Sequence, residues 1–347
     1  MKTGYLKTTC FKAAAVSLLL FLVLFGCVGK KEAVISGTTM GTTYHIKLVS
    51  GYFNDTSGLK KIIDGRLHEI NRSMSTYLPG SEISRFNAIR DIRQKLAVSD
   101  DFLRVMLAAR DIYETTGGAW DGTVKPLVNL WGFGNTSQGH RVPDDAEIGN
   151  RLQRVGFEHI GIFPEGYLQK KKSTVTLDLA SIAKGYAVDQ VSRLLRSRGI
   201  ENSLVEIGGE VFASGCRKDG TPWRVGINRP SISASTAEVY RVVPLSNRAM
   251  ATSGDYRNYF ETAGRRFSHV IDPRTGYPVN NGVVSVSIVA QNCMLADGLA
   301  TAVMVMGVEH GMALINSLTG VEGFIIVRKT GNAYVDYASD GFAAPAP

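Results

Sequence analysis

Three short stretches of this 347-residue chain carry side chains whose types and spacing suit one reaction. In "ADGLAT", Asp297 and Thr301 stand four residues apart inside an apolar segment. On a helix, that spacing sets both side chains on one face, one turn apart. Carboxylate and hydroxyl are hard oxygen donors, the kind Mg²⁺ takes in preference to zinc. The same pair also fits an acidic residue near a helix start and a threonine bonding back to its own turn. "TLDLASIAKGYAVD" places Asp178 at the end of a predicted strand, with a helix starting almost at once and Lys184 one to two turns in. A helix N-terminus offers free N–H groups and a positive dipole end to an anion. With the added cation, these are parts for holding a metal-bound phosphate ester. "FSHVIDPRTGYP" holds His269, one of only six histidines, ahead of a turn built by Arg274, Gly276 and Pro278. A neutral imidazole suits a proton acceptor near pH 7. A buried histidine without a chemical role fits the same stretch.

Two further stretches are rich in glycine. "EIGGEV", Glu206 to Val211, places two glycines inside a predicted strand. They weaken it unless something approaches the backbone closely, and an extended ligand or a β-bulge meets that condition equally. "TGGAWDGTVKPLVNLWGFG" mixes glycines with Trp120 and Trp131, which suits either a planar ring or the core. The P-loop, dinucleotide-binding, zincin and α/β-hydrolase signatures are missing. "SIAK" at Ser181 to Lys184 and "KTG" at Lys329 to Gly331 mimic penicillin-binding proteins, but the expected middle element is absent.

The elements that must position these residues follow from periodicity. "AVISGTTMGTTYHIKLVS" forms two strand pieces around Met40-Gly41. "GLKKIIDGRLHEINRSM" has helical spacing. "SDDFLRVMLAARDIYETTGGAW" is a stronger helix, capped at Ser99 or Asp100 and stopped by Gly117-Gly118. "KSTVTLDLA" is expected as a strand running into the helix "SIAKGYAVDQVSRLLRSRG". Closely spaced strands follow, then the helix "CMLADGLATAVMVMG" and the hairpin "EGFIIVRKTGNAYVDYAS". Helices in the first half and strands grouped in the second argue α+β, one elaborate domain or two packed lobes.

Residues 1–26 read as an export signal, with an uncleaved N-terminal anchor as the alternative: Lys2, Lys7 and Lys12 with no acid, an apolar run, then "LFGC". Without them the formal charge falls by those three lysines, from +8 to +5. The basic residues are dispersed, so no nucleic-acid groove is indicated. Lys30 and Lys31 instead suit anionic headgroups. Cys216 and Cys293 are the two cysteines of the body. Without a C-x-x-C, neither zinc nor a thioredoxin-like centre is indicated, and their pairing stays open.

"MGTTYHI", "MSTYLPGSEISRFN", "GAWDGTVKPLVNLWGFG", "LDLASIAKGYAVDQV", "VEIGGEVFASG", "WRVGINRP", "ATSGDYRNYF", "SHVIDPRTGYPV" and "ADGLATAVMVMG" together resemble the ApbE family, in order across roughly residues 34 to 330. "LFGC" likewise resembles a lipobox, with Cys27 the lipidated first mature residue. The resemblance implies an α+β fold of grouped, largely antiparallel strands with packed helices, spanning 34–347 after a lipid-anchored linker at 27–33. It implies an active site between two lobes. It implies Mg²⁺-dependent transfer of FMN from FAD to a threonine hydroxyl of an acceptor protein, releasing AMP. The acceptor would be a subunit of a membrane redox complex. Met40, Tyr77, Ala119, Trp120, Asp121, Asp178 and Lys184 are implied FAD contacts. The Ser181 carbonyl, Asp297 and Thr301 are implied metal ligands, and His269 the base. A lipid anchor would hold the chain to the cell membrane on the periplasmic side. FAD hydrolysis to FMN and AMP, or flavin binding alone, needs nearly the same residues.

Overall fold

The structure is a computed structural model. It describes residues 31–51, 56–134, 139–230, 238–255, 258–329 and 333–342. The signal segment, Cys27, Lys30 and part of "KTG" lie outside the described residues.

β1 (Lys31–Thr39) and β2 (Thr42–Ser50) pair in full antiparallel register around Met40 and Gly41. Both turn residues have positive φ, 51° and 73°, as a two-residue turn matched to strand twist requires. α1 (Thr56–Met74) buries Ile63, Leu67, Ile70 and Met74, a single stripe at helical spacing. α2 (Glu82–Ala88) starts at Ser81 and α3 (Asp100–Thr115) at Ser99, each serine side chain accepting an orphan N–H of the first turn. α3 ends where expected, at Gly117 and Gly118, both with positive φ. α4 (Lys125–Leu130) and α5 (Asp145–Leu152) follow, the latter behind an Asp144–Glu147 capping box. β3 (Lys95–Ala97), β4 (Ile160–Phe163) and β5 (Tyr167–Lys170) form a small antiparallel sheet in the order β3-β5-β4.

α6 (Ala180–Ser197) precedes β6 (Asn202–Ile207), β7 (Glu210–Ser214), the hairpin β8 (Trp223–Asn228) and β9 (Val239–Leu245), and β10 (Arg248–Gly254). β11 (Tyr259–Thr262) and β12 (Arg265–Ser268) form a second hairpin, followed by β13 (Val283–Ala290). α7 (Cys293–Ser317), β14 (Glu322–Arg328) and β15 (Tyr334–Ala338) complete the described order. The main sheet runs β1-β2-β6-β7-β10-β13-β14-β15, and each of its pairings is antiparallel. The fold is thus α+β with grouped antiparallel strands, as expected. Alternation along β10 divides the core: Ala249 and Ala251 join the helix-bearing clusters, while Met250 joins the cluster with Trp223, Ile227, Val243 and Leu245 of the β8–β9 hairpin. α7 is long and apolar enough to cross a membrane by length and composition. Much of its surface is nevertheless buried against β10 and β13, as in a core helix. It breaks at Gly307, φ 78°, where the sequence pattern ends its predicted helix, and then continues to Ser317.

Two expectations fail. Residues 172–180 are not a strand, although Val175, Leu177 and Leu179 alternate and are wholly buried. A side-chain amide replaces the ladder: Asn87 Oδ1 accepts from Leu177 N–H at 2.7 Å, and Asn87 Nδ2 donates to the Leu177 carbonyl at 2.8 Å. Asp178 N–H donates to the Gly122 carbonyl at 2.7 Å. The glycines of "EIGGEV" are not inside a strand either. Gly208 and Gly209, φ 62° and 104°, form the two-residue turn between β6 and β7, with Ile207 facing Glu210 across it.

Candidate active site

The α6–α7 crossing builds the centre of the site. Gly185 of α6 lies so close to the start of α7 that an added Cβ would sit 2.3 Å from the Cys293 carbonyl oxygen. Asp189, one turn on, accepts from the N–H groups of Cys293 and Met294 at 2.8 and 3.1 Å, capping α7 from its neighbour. Asp297, 3% exposed, accepts the Gly185 N–H through Oδ2 at 3.0 Å. In α-helix geometry that N–H belongs to the Ser181 carbonyl. The carbonyl, Asp297 and Thr301 therefore lie on the facing sides of two locked helices.

These residues border a cavity of about 710 Å³, within the range of ~300–1,000 Å³ typical of small-ligand clefts. One wall is α6, α7, the β6–β7 turn and the end of β10, with Thr252 and Ser253. The other is α4 and the segment 269–273. A separate small core of Leu127, Trp131, Ile148, Phe267 and Ile271 supports that second wall. Trp131 Nε1–H donates to the Gly276 carbonyl at 2.9 Å, fastening the "FSHVIDPRTGYP" turn onto α4. Inside the turn, Asp272 accepts from Arg274 N–H and Nε–H, both at 2.9 Å.

His269 lines the cavity. Its Nδ1 is 3.1 Å from the Asn258 carbonyl, which also accepts the His269 backbone N–H at 3.1 Å. A carbonyl only accepts, so Nδ1 carries the proton in the neutral ring and Nε2 keeps its lone pair. Burial lowers the ring's pKa from the ordinary 6.5, against a smaller opposing effect of the Asn258 contact. The imidazole is therefore neutral at pH 7, oriented and able to accept a proton.

Lys184 supplies the cation. Its Nζ is 2.6 Å from Glu210 Oε1 and 3.9 Å from Asp297 Oδ1. Burial alone would lower its pKa, but Asp297 and Glu210 outweigh that, so the ammonium persists far above neutral pH. Burial is also the main effect raising Asp297 and Glu210. The Asp297 charge pushes Glu210 up further, while Lys184 opposes both shifts. Two buried carboxylates thus share one ammonium, and Glu210 Oε2 is buried without a hydrogen-bond partner. Burial makes these carboxylate oxygens costly to leave charged without a cation, and together with the Thr301 hydroxyl and the Ser181 carbonyl they fit a hard divalent ion such as Mg²⁺. Among the described residues no group of three His, Cys, Asp or Glu side chains is placed to hold a metal ion, so a cation here would rest on Asp297 together with the neutral Thr301 and Ser181 oxygens.

Tyr77, Ala119, Trp120, Asp121, Asp178, Ser181, Lys184, His269, Asp297 and Thr301 all border the one cavity. Met40 does not: it sits in the β1–β2 turn and packs on the main core. Asp121 borders the cavity, but its carboxylate is turned into the backbone. Oδ1 accepts from Thr123 N–H and Oγ1–H, and Oδ2 from Phe157 N–H. Asp178 does not leave a bare helix start for an anion. Its Oδ1 takes the Ala180 N–H at 3.1 Å and its Oδ2 pairs with Lys125 at 3.0 Å. Trp120 is both core and wall: 1% exposed, it packs on Phe157, and its Nε1–H donates to Ser181 Oγ at 2.9 Å. Cys216 and Cys293 are unpaired. Sequence reasoning missed Glu210, Lys125, Ser253 and the role of Asn258. Only Glu210 had a signal, the Gly-Gly turn immediately before it.

The sequence matches the ApbE family over residues 40–325. A Vibrio cholerae protein named FAD:protein FMN transferase is 46% identical over 330 residues, which cover 94% of this chain and 97% of the relative. A Haemophilus influenzae protein of the same name is 38% identical over 327 residues, covering 92% and 94%. The solved flavin transferase ApbE from Vibrio cholerae superposes with a TM-score of 0.81 at 43% identity, covering 90% of this chain and 98% of that one. The apo Pseudomonas stutzeri flavinyl transferase ApbE also gives 0.81, at 36% identity, with 91% and 98% covered. Sequence, topology and the cavity between α6, α7 and the His269 turn all converge, and this chain belongs to the ApbE family.

Proposed function

We propose that this chain is an FAD:protein FMN transferase that moves FMN from FAD to a threonine hydroxyl of an acceptor protein and releases AMP. The observation that carries the reading is His269, whose Nδ1 is held by the Asn258 carbonyl on the rim shared with Asp297 and Thr301. Nε2 takes the proton of the incoming hydroxyl. The freed oxygen attacks the FMN-side phosphorus, a new P–O bond forms, and the P–O bond to the AMP phosphate breaks. The electron pair of that bond leaves on AMP. Lys184 balances charge on the phosphates, and the fixed cavity walls hold donor and acceptor in line. Mg²⁺ held by the Ser181 carbonyl, Asp297 and Thr301 would neutralise phosphate oxygens in this reaction. Tyr77, 81% exposed at the cavity edge, supplies aromatic surface for the flavin, and the buried Trp120 backs the wall behind it.

The acceptor is proposed to be a subunit of a membrane redox complex. Lipid on Cys27, next to Lys30 and Lys31, would keep the enzyme on the periplasmic side of the cell membrane. Cys27→Ser should then abolish fatty-acid labelling; label retained on the variant refutes the anchor. Incubation with FAD, Mg²⁺ and a threonine-bearing acceptor should add one FMN to the acceptor by mass spectrometry. Free FMN and AMP with an unmodified acceptor would instead identify a hydrolase.

A further inference from the structure

We infer that Glu210 is a positioning residue for the metal site: by holding Lys184, it keeps Asp297 open to a divalent cation. The inference rests on the proposed metal-dependent function and adds a residue to it. Lys184 Nζ stands at full charge-assisted contact, 2.6 Å, from Glu210 Oε1 but 3.9 Å from Asp297 Oδ1. Such contacts close to ~2.7–2.9 Å when free to form, so about 1 Å separates Lys184 from pairing with Asp297. Asp297 Oδ2 is already engaged by the Gly185 N–H. Oδ1 is therefore the oxygen for which ammonium and metal compete. A lysine stem is flexible and its ammonium a compact point charge, so Lys184 can seat itself on Asp297 if released.

Glu210 is placed rigidly enough to prevent this. It is the first residue of β7, directly after the Gly208–Gly209 turn and in register with Ile207. The turn itself bears on the lysine: a Cβ on Gly208 would sit 3.3 Å from Lys184 Cδ and 2.8 Å from Thr42 Cγ2. The carboxylate is 3% exposed on a strand buried at all five positions. A buried ion pair contributes little net stability over apolar side chains of similar volume. A positioning role accounts for a carboxylate there, where packing alone favours an apolar residue.

The test is titration of the full chain with Mg²⁺ alone, by calorimetry. Glu210→Gln keeps the shape and removes the charge. Glu210→Asp keeps the charge but shortens the reach to Lys184, and it serves equally if the glutamine variant fails to fold. Both should bind Mg²⁺ about 10–100-fold more weakly than wild type, the range for residues that orient a metal ligand. A metal-free crystal structure of the weaker-binding variant should show Lys184 Nζ in direct contact with Asp297. A wild-type chain that takes up no Mg²⁺ overturns the metal assignment and this inference with it. A wild-type chain that binds Mg²⁺ while Glu210→Gln binds it equally well overturns this inference alone. Wild-type affinity in Glu210→Asp also overturns it, because bulk charge rather than position would then be responsible.

Discussion

Gly185→Ala tests whether the α6–α7 crossing sets the chemistry, because the residue touches neither substrate nor metal through a side chain. On an isolated helix the change should help, since alanine is favoured over glycine by ~1 kcal/mol. Here the new Cβ would lie 2.3 Å from the Cys293 carbonyl oxygen and 2.6 Å from its carbon, where ordinary contact begins at 3.4 Å. The helices must part by about 1 Å. Both neighbours are backbone, so no side chain can swing aside. Overpacking of this kind costs ~1–3 kcal/mol, enough to reverse the propensity gain. The displacement also falls on the Gly185 N–H that holds Asp297, 112 residues away in sequence. A misplacement of ~1 Å at reacting groups lowers rate by ~10²-fold. Transfer by in-gel flavin fluorescence across an Mg²⁺ titration should show that loss and a raised Mg²⁺ requirement, with a lower Tm. Transfer and Mg²⁺ half-saturation within twofold of wild type would refute the claim that this contact positions Asp297.

His269→Asn should cut transfer by ~10²–10⁴-fold while FAD affinity, read by fluorescence, stays near wild type. Because burial lowers the ring's pKa from 6.5, the acid limb of the wild-type rate, where the imidazolium forms, should have its midpoint below pH 6.5. A midpoint above pH 6.5 contradicts the environment described for the ring. Asp297→Ala should abolish Mg²⁺ dependence and most activity, and Thr301→Ala should be milder because water can replace a neutral ligand. Unchanged Mg²⁺ titration in Asp297→Ala rejects the ligand set. Asp121→Asn turns a donor amide toward a backbone N–H that loses its acceptor, costing ~1–3 kcal/mol in denaturant unfolding. Burial pushes Asp121 from 3.8 to about 6 in the fold, so the native state holds its proton more tightly. Its contribution to stability is present below pH 3.8 and lost as pH rises through about 6. That decline should shrink in Asp121→Asn, leaving the shares of Asp189, which burial also raises to about 6, and of Glu210, Asp255 and Asp297, which burial raises as well. An unchanged pH slope would show that Asp121 is not the titrating group.

Local rules made much of the chain legible without coordinates. Met40-Gly41 marked the first hairpin, Ser99 and Gly117-Gly118 bounded α3, and the four-residue spacing of Asp297 and Thr301 put both on one face of α7, because these features depend only on backbone geometry within a turn or two. Alternation misled at 172–180: burial on one side reproduces the strand pattern, but a ladder needs a partner strand, and the partner is the Asn87 side chain. Met40 left the cavity wall and Glu210 entered it for a similar reason. Ordered motifs identify the family, but which side chains meet depends on strand order and helix crossing. Lys184 finds Glu210 only because β7 returns beside α6, and His269 acquires its tautomer only because the Asn258 carbonyl faces it from before the β11–β12 hairpin. Spacing along a chain specifies which residues share a face of one element. Charge sharing, orphaned oxygens and the direction of a lone pair arise between elements, where contact distances of 2.6–3.9 Å are set by packing.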